Sequence, residues 1–355
     1  MRLPILAFFS VGTLATPLAS TISLVAALKL PRPNPPEPSV YDAQALAALN
    51  PYTHYASAAY CDPAATIAWS CGRAHNSPRA SPSHDIPAVH CDVNARFDPV
   101  ASGGDGGAVQ YWYVGFDPAL REVIVAHQGT DISRPLAAWV DMDVFLQRLD
   151  PVLFPGTPPD ALVHDGFAFA QHSSARVIRA AVSTLLDTRN ASSVVVVGHS
   201  LGAAIALLDA LHLRLHLPPS ITVRTIGYGM PRVGNAAFAT FLSAVLPPSD
   251  RLEIARTRDL VPLLPPEFLG YVHPHGGRVG IADGEVWRAC DGAACWPDDG
   301  RLAEDGGRFV DEGGGANGDG CGGEDSWPEL WSFDLTDHFG PFDGVWMGCA
   351  AVAAV

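Results

Sequence analysis

The stretch Val194-Val195-Val196-Val197-Gly198-His199-Ser200-Leu201-Gly202-Ala203-Ala204 decides how this chain folds. Four valines in succession cannot alternate between a core face and a solvent face. They predict a strand buried on both sides of a mostly parallel sheet. From Ala203 to Leu211 there is no Gly or Pro, which predicts a helix, and Pro218-Pro219 stops it. Between strand and helix lies Gly-x-Ser-x-Gly. A serine in so sharp a turn holds a strained backbone, at a cost of roughly 1–3 kcal/mol. The turn lifts its Oγ above the sheet edge, while Gly198 and Gly202 let strand and helix pack closely beneath it. The five-residue pattern alone is weak evidence in a glycine-rich chain. The strand before it and the helix after it make Ser200 a nucleophile candidate.

Working outward, the same alternation of strands and helices continues. Gln110 to Phe116 and Glu122 to Ala126 predict a hairpin turned at Asp117-Pro118. The second arm runs into His127-Gln128-Gly129-Thr130, then a short apolar helix over Ile132 to Trp139 with Ser133 as a candidate N-cap. A helix is expected from about Ala168 to Leu186, strands over Thr222 to Gly227 and Leu252 to Thr257, and a helix over Asn235 to Leu246. Upstream, Ala43 to Asn50 has helical spacing that Pro51 should end or restart. Strands alternating with helices give an α/β domain with helices on both faces of the sheet.

The 355 residues are 48% hydrophobic and 17% charged, enough for a sizeable core. A net charge of −15 argues against nucleic acid as a partner and against electrostatic attachment to anionic membranes. Residues 1–20 read as a secretory signal peptide: Arg2, an apolar run from Leu3 to Leu14, then small residues. Residues 21–40 are a proline-rich linker or propeptide, and 41–355 form one domain. No later stretch is long and apolar enough to span a bilayer, so secretion is expected. Seven cysteines in a secreted chain imply disulfides with one left over, and their spacing is not that of a zinc site. Asn190-Ala191-Ser192 is a glycosylation sequon just ahead of the valine strand. Two stretches lack apolar periodicity: Gly72 to His90, expected as a surface excursion closed by Cys71 and Cys91, and the Gly/Asp-rich run from Asp291 to Asp325. Gly313 to Asp319 resembles a single calcium-type repeat without an array, so no metal is assigned.

A serine nucleophile needs a base and an orienting acid, and in this class of fold the chain order is Ser, then Asp or Glu, then His. Asp259 stands at the end of a later strand; Asp250 and Glu253 are alternatives that lie before or within it. Three histidines follow, His273, His275 and His338, of which His338 lies on a loop near the C-terminus. The oxyanion needs two donors. The backbone N–H of Leu201 opens the helix, and Gly129-Thr130 offers a second N–H and a hydroxyl.

These residues carry a resemblance. The chain is similar to the fungal class 3 lipases, secreted α/β-hydrolases, and most of all to a basidiomycete branch with His-Gln-Gly-Thr where others have Arg-Gly-Ser. The matching stretches include Ala58-Ala59-Tyr60-Cys61, Trp69-Ser70-Cys71-Gly72, Ala126 to Asp131, Val163 to Phe167, Val196 to Ala204 and Gly227 to Asn235. Asp259-Leu260-Val261-Pro262, Asp337-His338 and Gly340 to Gly344 complete them. The resemblance implies Ser200 as nucleophile, Asp259 as acid, His338 as base, and Thr130 with Leu201 as the oxyanion hole. It implies a lid over Ser133 to Trp139 and no cofactor. It also implies bridges Cys61–Cys349 and Cys71–Cys91, with Cys290 paired to Cys321 or Cys295. The expected substrate is a lipid or other ester, most of all a triacylglycerol, met at an oil–water interface by a monomer. A feruloyl or other carboxylesterase of the same fold is the nearest alternative, and a non-catalytic hydrolase-like binding protein the more distant one. The excursion 72–90 and the stretch 299–325 are longer than the family's counterparts and read as insertions or as retained intron sequence.

Overall fold

Burial of alternate valines on opposite faces organises the structure. The computed structural model describes residues 41–71, 89–130, 144–282, 286–290 and 336–349. The expected signal peptide and linker, the helix over Ile132 to Trp139, most of the 72–90 excursion and the Gly/Asp-rich run lie outside these residues. The strands in chain order are β1 (Asp98–Gly103), β2 (Trp112–Asp117), β3 (Glu122–His127), β4 (Leu146–Arg148), β5 (Leu162–His164), β6 (Ser193–His199), β7 (Thr222–Tyr228), β8 (Arg251–Arg256), β9 (Arg278–Ala282) and β10 (Val286–Cys290). The helices are α1 (Ala43–Ala58), α2 (Pro63–Ile67), α3 (Val89–Val93), α4 (Asp165–Arg189), α5 (Leu201–His216), α6 (Ala236–Val245) and α7 (Thr336–Phe339).

Eight of these strands form one sheet in the order β1-β2-β3-β6-β7-β8-β9-β10, and β4 and β5 form a separate antiparallel pair. From β3 to β9 the pairing is parallel, whereas β1-β2-β3 and β9-β10 are antiparallel ends. This mostly parallel sheet with helices on both faces is the α/β-hydrolase architecture expected above.

In β6 all four valines are fully buried. Val194 and Val196 join the cluster built with α4, α5 and α6, through Phe167, Ile178, Leu207 and Phe238. Val195 and Val197 join the opposite cluster, built with α1 and the C-terminal segment through Tyr55, Phe342 and Met347. Each such side chain contributes roughly 1.5–3 kcal/mol on burial, so both faces of β6 anchor the sheet.

Several local expectations shift. Pro51 neither ends nor restarts the first helix: α1 runs unbroken through it. Residues 52–58 that follow it are buried, and Asn94 Nδ2 donates to the Pro51 carbonyl at 2.9 Å. Tertiary burial of the second half overrides the local cost of the proline. α4 begins at Asp165, three residues early, because the His164 side chain accepts from the Gly166 N–H at 3.1 Å and caps it; Asn190 in the left-handed region ends it. His90 belongs not to a surface excursion but to α3, where it is buried against α1. His338 sits on the single turn α7 rather than on an irregular loop.

Among the described residues two bridges are formed, Cys61–Cys349 and Cys71–Cys91, with Cα separations of 4.7 and 5.5 Å. The first ties the end of α1 to the C-terminal segment across 288 residues of sequence. The Cys290 side chain and the pairing of Cys295 and Cys321 lie outside the described residues.

Candidate active site

Ser200 sits between β6 and α5 with φ 59° and ψ −129°. That left-handed φ is costly for a residue with a Cβ, and the surroundings hold it there. The Ser200 N–H donates to the Tyr228 carbonyl of β7 at 2.8 Å. A Cβ at Gly198 would overlap the Gly202 carbonyl, and one at Gly202 would overlap the His127 carbonyl, so only glycines allow strand, turn and helix to meet this closely. The spacing of Gly-x-Ser-x-Gly is therefore a packing requirement.

Asp259 and His338 arrive from two separate segments. Asp259 lies just past β8, and its Oδ1 accepts from the Val261 N–H at 2.9 Å, which fixes the carboxyl. His338 comes from α7. Its Nδ1 stands 3.0 and 2.9 Å from the two Asp259 oxygens, and its Nε2 stands 2.8 Å from Ser200 Oγ. All three side chains are buried. With a neutral imidazole the geometry leaves one consistent proton arrangement: Nδ1–H donates to Asp259, and Nε2 accepts from the serine hydroxyl. Gly229, with φ +55°, permits the meeting; a Cβ there would stand 2.8 Å from Asp259 Oδ2 and 3.0 Å from His338 Nδ1. Arg256 at the end of β8 holds the segment that carries His338, with Nε 3.3 Å from Asp337 Oδ1 and Nη1 donating to the Pro341 carbonyl at 2.8 Å.

The alternatives are engaged elsewhere. Asp250 belongs to a short turn before β8, at the opposite end of that strand from Asp259. Glu253 is buried within β8, 3.2 Å from His273 and 3.4 Å from Arg278. His273 Nε2 meets the Pro262 carbonyl at 2.6 Å, and His275 is exposed.

On the other side of Ser200, the loop 128–130 leaves β3. Gly129 is wedged so tightly that a Cβ would overlap Tyr60 Oη and stand 3.1 Å from Ser200 Cβ. Thr130 follows, half-buried, and Leu201 is the first residue of α5. First-turn N–H groups have no intrahelical partner and point along the helix axis, so Leu201 presents a donor at the turn.

Sequence reasoning missed two residues of this environment. Tyr60 Oη donates to His199 Nδ1 at 2.6 Å, and His199 Nε2–H donates to the His338 carbonyl at 2.7 Å. Burial, and then the adjacent His338, hold the His199 imidazole well below its ordinary pKa, so it stays neutral. It steadies the backbone of His338 without competing for its proton. His199 stands inside the quoted motif, but its partners lie 139 residues away on either side. Among the described residues no group of three or more His, Cys, Asp or Glu is placed to hold a metal ion, and no helix is long and apolar enough to cross a membrane.

Residues 124–269 match the class 3 lipase family. A secreted mono- and diacylglycerol lipase of Malassezia globosa is 31% identical over 172 residues, 48% of this chain and 55% of the relative. One from Fusarium solani is 32% identical over 228 residues, 62% of this chain and 60% of the relative. The chain thus spans little more than half the length of these curated relatives. Among solved structures, the native Rhizomucor miehei lipase propeptide complex superposes with a TM-score of 0.58 at 22% identity, covering 72% of this chain and 75% of that one. That likeness is one of fold.

Proposed function

We propose that this chain, which is related to the fungal class 3 lipases, is a serine hydrolase that cleaves carboxylic esters of acylglycerols. The observation that carries the reading is the buried hydrogen-bonded series Ser200–His338–Asp259 beyond the ends of parallel strands. Ser200 Oγ attacks the ester carbonyl carbon as His338 Nε2 takes its proton. Asp259 holds the imidazole in the right tautomer and stabilises the imidazolium. The carbonyl oxygen becomes an oxyanion held by Thr130 and the Leu201 N–H, donors each worth roughly 3–4 kcal/mol. Collapse of the tetrahedral adduct expels the alcohol, which leaves with the proton from His338. Water, deprotonated by His338, then attacks the acyl-serine and releases the acid, restoring Ser200. No cofactor enters this sequence.

A lipid substrate is favoured by the side chains around this end of the molecule. Phe268 on the segment after Asp259 is 84% exposed and Phe145 68%, with Val144 and Leu269 also exposed. Tyr271 Oη donates to the Val144 carbonyl at 3.1 Å, which fastens the 144–145 segment to the chain that follows the acid. Large apolar side chains held in water on the segment that follows the acid and on the segment fastened to it suit a substrate that presents an oil surface. The relatives' names, mono- and diacylglycerol lipases, point to partial glycerides. The same reading takes residues 1–20 as a secretion signal, 41–355 as the catalytic domain and 132–139 as a lid. The test is a panel on the purified protein: mono-, di- and triacylglycerols, p-nitrophenyl esters of several chain lengths, and methyl ferulate. Acylglycerol turnover abolished in Ser200→Ala is expected; turnover of methyl ferulate alone would overturn the substrate class.

A further inference from the structure

The loop that carries Thr130 is held at a point the reaction does not touch. His127 closes β3 opposite Gly198 of β6, and its Nε2 lies 2.8 Å from Asp209 Oδ2. Asp209 stands on α5, about two turns beyond Leu201. Its second oxygen accepts from Gln171 Nε2 of α4 at 2.7 Å. All three side chains are buried, His127 at 1% exposure and the other two at 0%.

A polar trio in this place needs a reason. Apart from His212, which is buried one turn on and bonds the Leu153 carbonyl at 2.7 Å, the surrounding turns of α5 are Ala, Ile and Leu packed into the core. An apolar residue at 209 would pack there without the desolvation cost of a carboxylate. The neighbouring backbone shows what the trio adds. The first turn of α5 and the end of β3 already touch where Gly202 meets the His127 carbonyl. That contact is steric, and the ladder pairing at the strand end runs to Trp112 of β2 and Gly198 of β6, not to α5. The His127–Asp209 bond, two turns further along α5, adds a directional link between strand end and helix. Gln128 locks the next residue, its N–H donating to the Tyr111 carbonyl and its Oε1 accepting from the Tyr111 N–H, both at 2.8 Å.

We propose that His127 and Asp209 are positioning residues for the oxyanion pocket. They tie the strand end that carries Gly129-Thr130 to the helix that carries the Leu201 N–H, and so fix the two donors relative to each other. The inference rests on the hydrolase reading above. Oxyanion donors act only within a few tenths of an ångström of their ideal distance, and a misplacement of about 1 Å costs on the order of 100-fold in rate.

The test compares the wild type with Asp209→Asn, Asp209→Leu and the double variant His127→Phe/Asp209→Leu. On p-nitrophenyl butyrate, Asp209→Asn is expected to lower kcat by about 10- to 100-fold with KM within about twofold. The inhibition constant of an alkylboronic acid, whose tetrahedral adduct fills the pocket, should rise by the same factor. Hydrogen exchange over residues 127–130 should quicken while that of 202–210 stays put. The apolar double variant should recover thermal midpoint relative to Asp209→Leu without recovering kcat. The proposal is overturned if kcat returns with the midpoint, if the loss falls on KM, or if exchange at 127–130 is unchanged. If the wild type neither hydrolyses esters nor is labelled at Ser200, the hydrolase reading has failed. The exchange comparison in Asp209→Asn then still decides whether the strut holds the loop.

Discussion

Among the described residues two facing pairs of histidines have both rings buried, and only one of these pairs is backed by a hydrogen-bonded carboxylate. His199 and His338 have ring centroids 4.5 Å apart, and His338 rests on Asp259. His54 of α1 and His90 of α3 have centroids 5.4 Å apart, with their Nδ1 atoms 3.2 Å apart. His90 Nε2 reaches Ser57 Oγ at 3.2 Å, and Ser57 in turn meets the Trp346 and Gly348 carbonyls. Among the described residues neither His54 nor His90 hydrogen-bonds an acid. Burial pushes both down to about 4, helped in His90 by the neighbouring imidazole. On the proposed mechanism the same side chain, buried in both places, cycles a proton in one; in the other it fastens α1 to α3 and the C-terminal segment. What separates the two roles is a single aligned carboxyl group.

That contrast can be broken at its strong end. Removing the base in His338→Ala, or the aligned carboxyl in Asp259→Asn, should lower kcat by about 10,000-fold, and combining either with Ser200→Ala should add little. Steady-state kinetics on p-nitrophenyl butyrate measure it. Additive losses in the double variants would show that the three do not act as a unit. A smaller effect is expected from Gly229→Ala. Its methyl meets Asp259 and His338 at a φ that L residues avoid, and a displaced pair should cost on the order of 100-fold in kcat. An unchanged rate would mean that the carboxyl–imidazole geometry tolerates more than the distances suggest.

The weak end of the contrast predicts a stability effect with no catalytic one. In the unfolded chain His54 and His90 take up protons near their ordinary value of 6.5, while in the folded chain they resist until about 4. Between those values the unfolded state binds more protons. Stability contributed by keeping the pair neutral is therefore fully present above about pH 6.5 and is lost as pH falls toward 4. The thermal midpoint should drop across that window, and His54→Phe should flatten the drop. A midpoint that stays level from pH 7 to 4, or falls equally in the variant, would contradict the burial of two neutral imidazoles.

Much of this was legible in the sequence, for reasons that also mark where legibility stopped. The valine run and the glycines around Ser200 each encode a local requirement, so one segment suffices to read them; the order Ser, Asp, His spans three segments and is read from the chain order that this class of fold imposes. β1, β4, β5, β9 and β10 were missed: edge and near-edge strands need no strong alternation, β4 and β5 are three-residue strands paired only with each other, β9 is defined by its register with β8, and β10 by its register with β9. Pro51 was misread because the burial that overrides it comes from distant segments. Tyr60, His127, Asp209 and His90 were invisible as a set, since each acquires meaning only from a partner 33 to 139 residues away. Position along the chain is a poor guide to a group whose role is to hold another.

The most direct measurement of the central claim is covalent labelling with a p-nitrophenyl alkylphosphonate, followed by peptide mass spectrometry. An activated serine attacks phosphorus and expels p-nitrophenolate, leaving a stable adduct on the nucleophile. The account predicts one adduct, on Ser200, formed within minutes in the wild type, absent in Ser200→Ala, and slowed by about 1,000-fold or more in His338→Ala. His273→Ala should label at close to the wild-type rate. Labelling of Ser200 that proceeds as fast without His338 as with it, or that is lost instead in His273→Ala, would contradict the account.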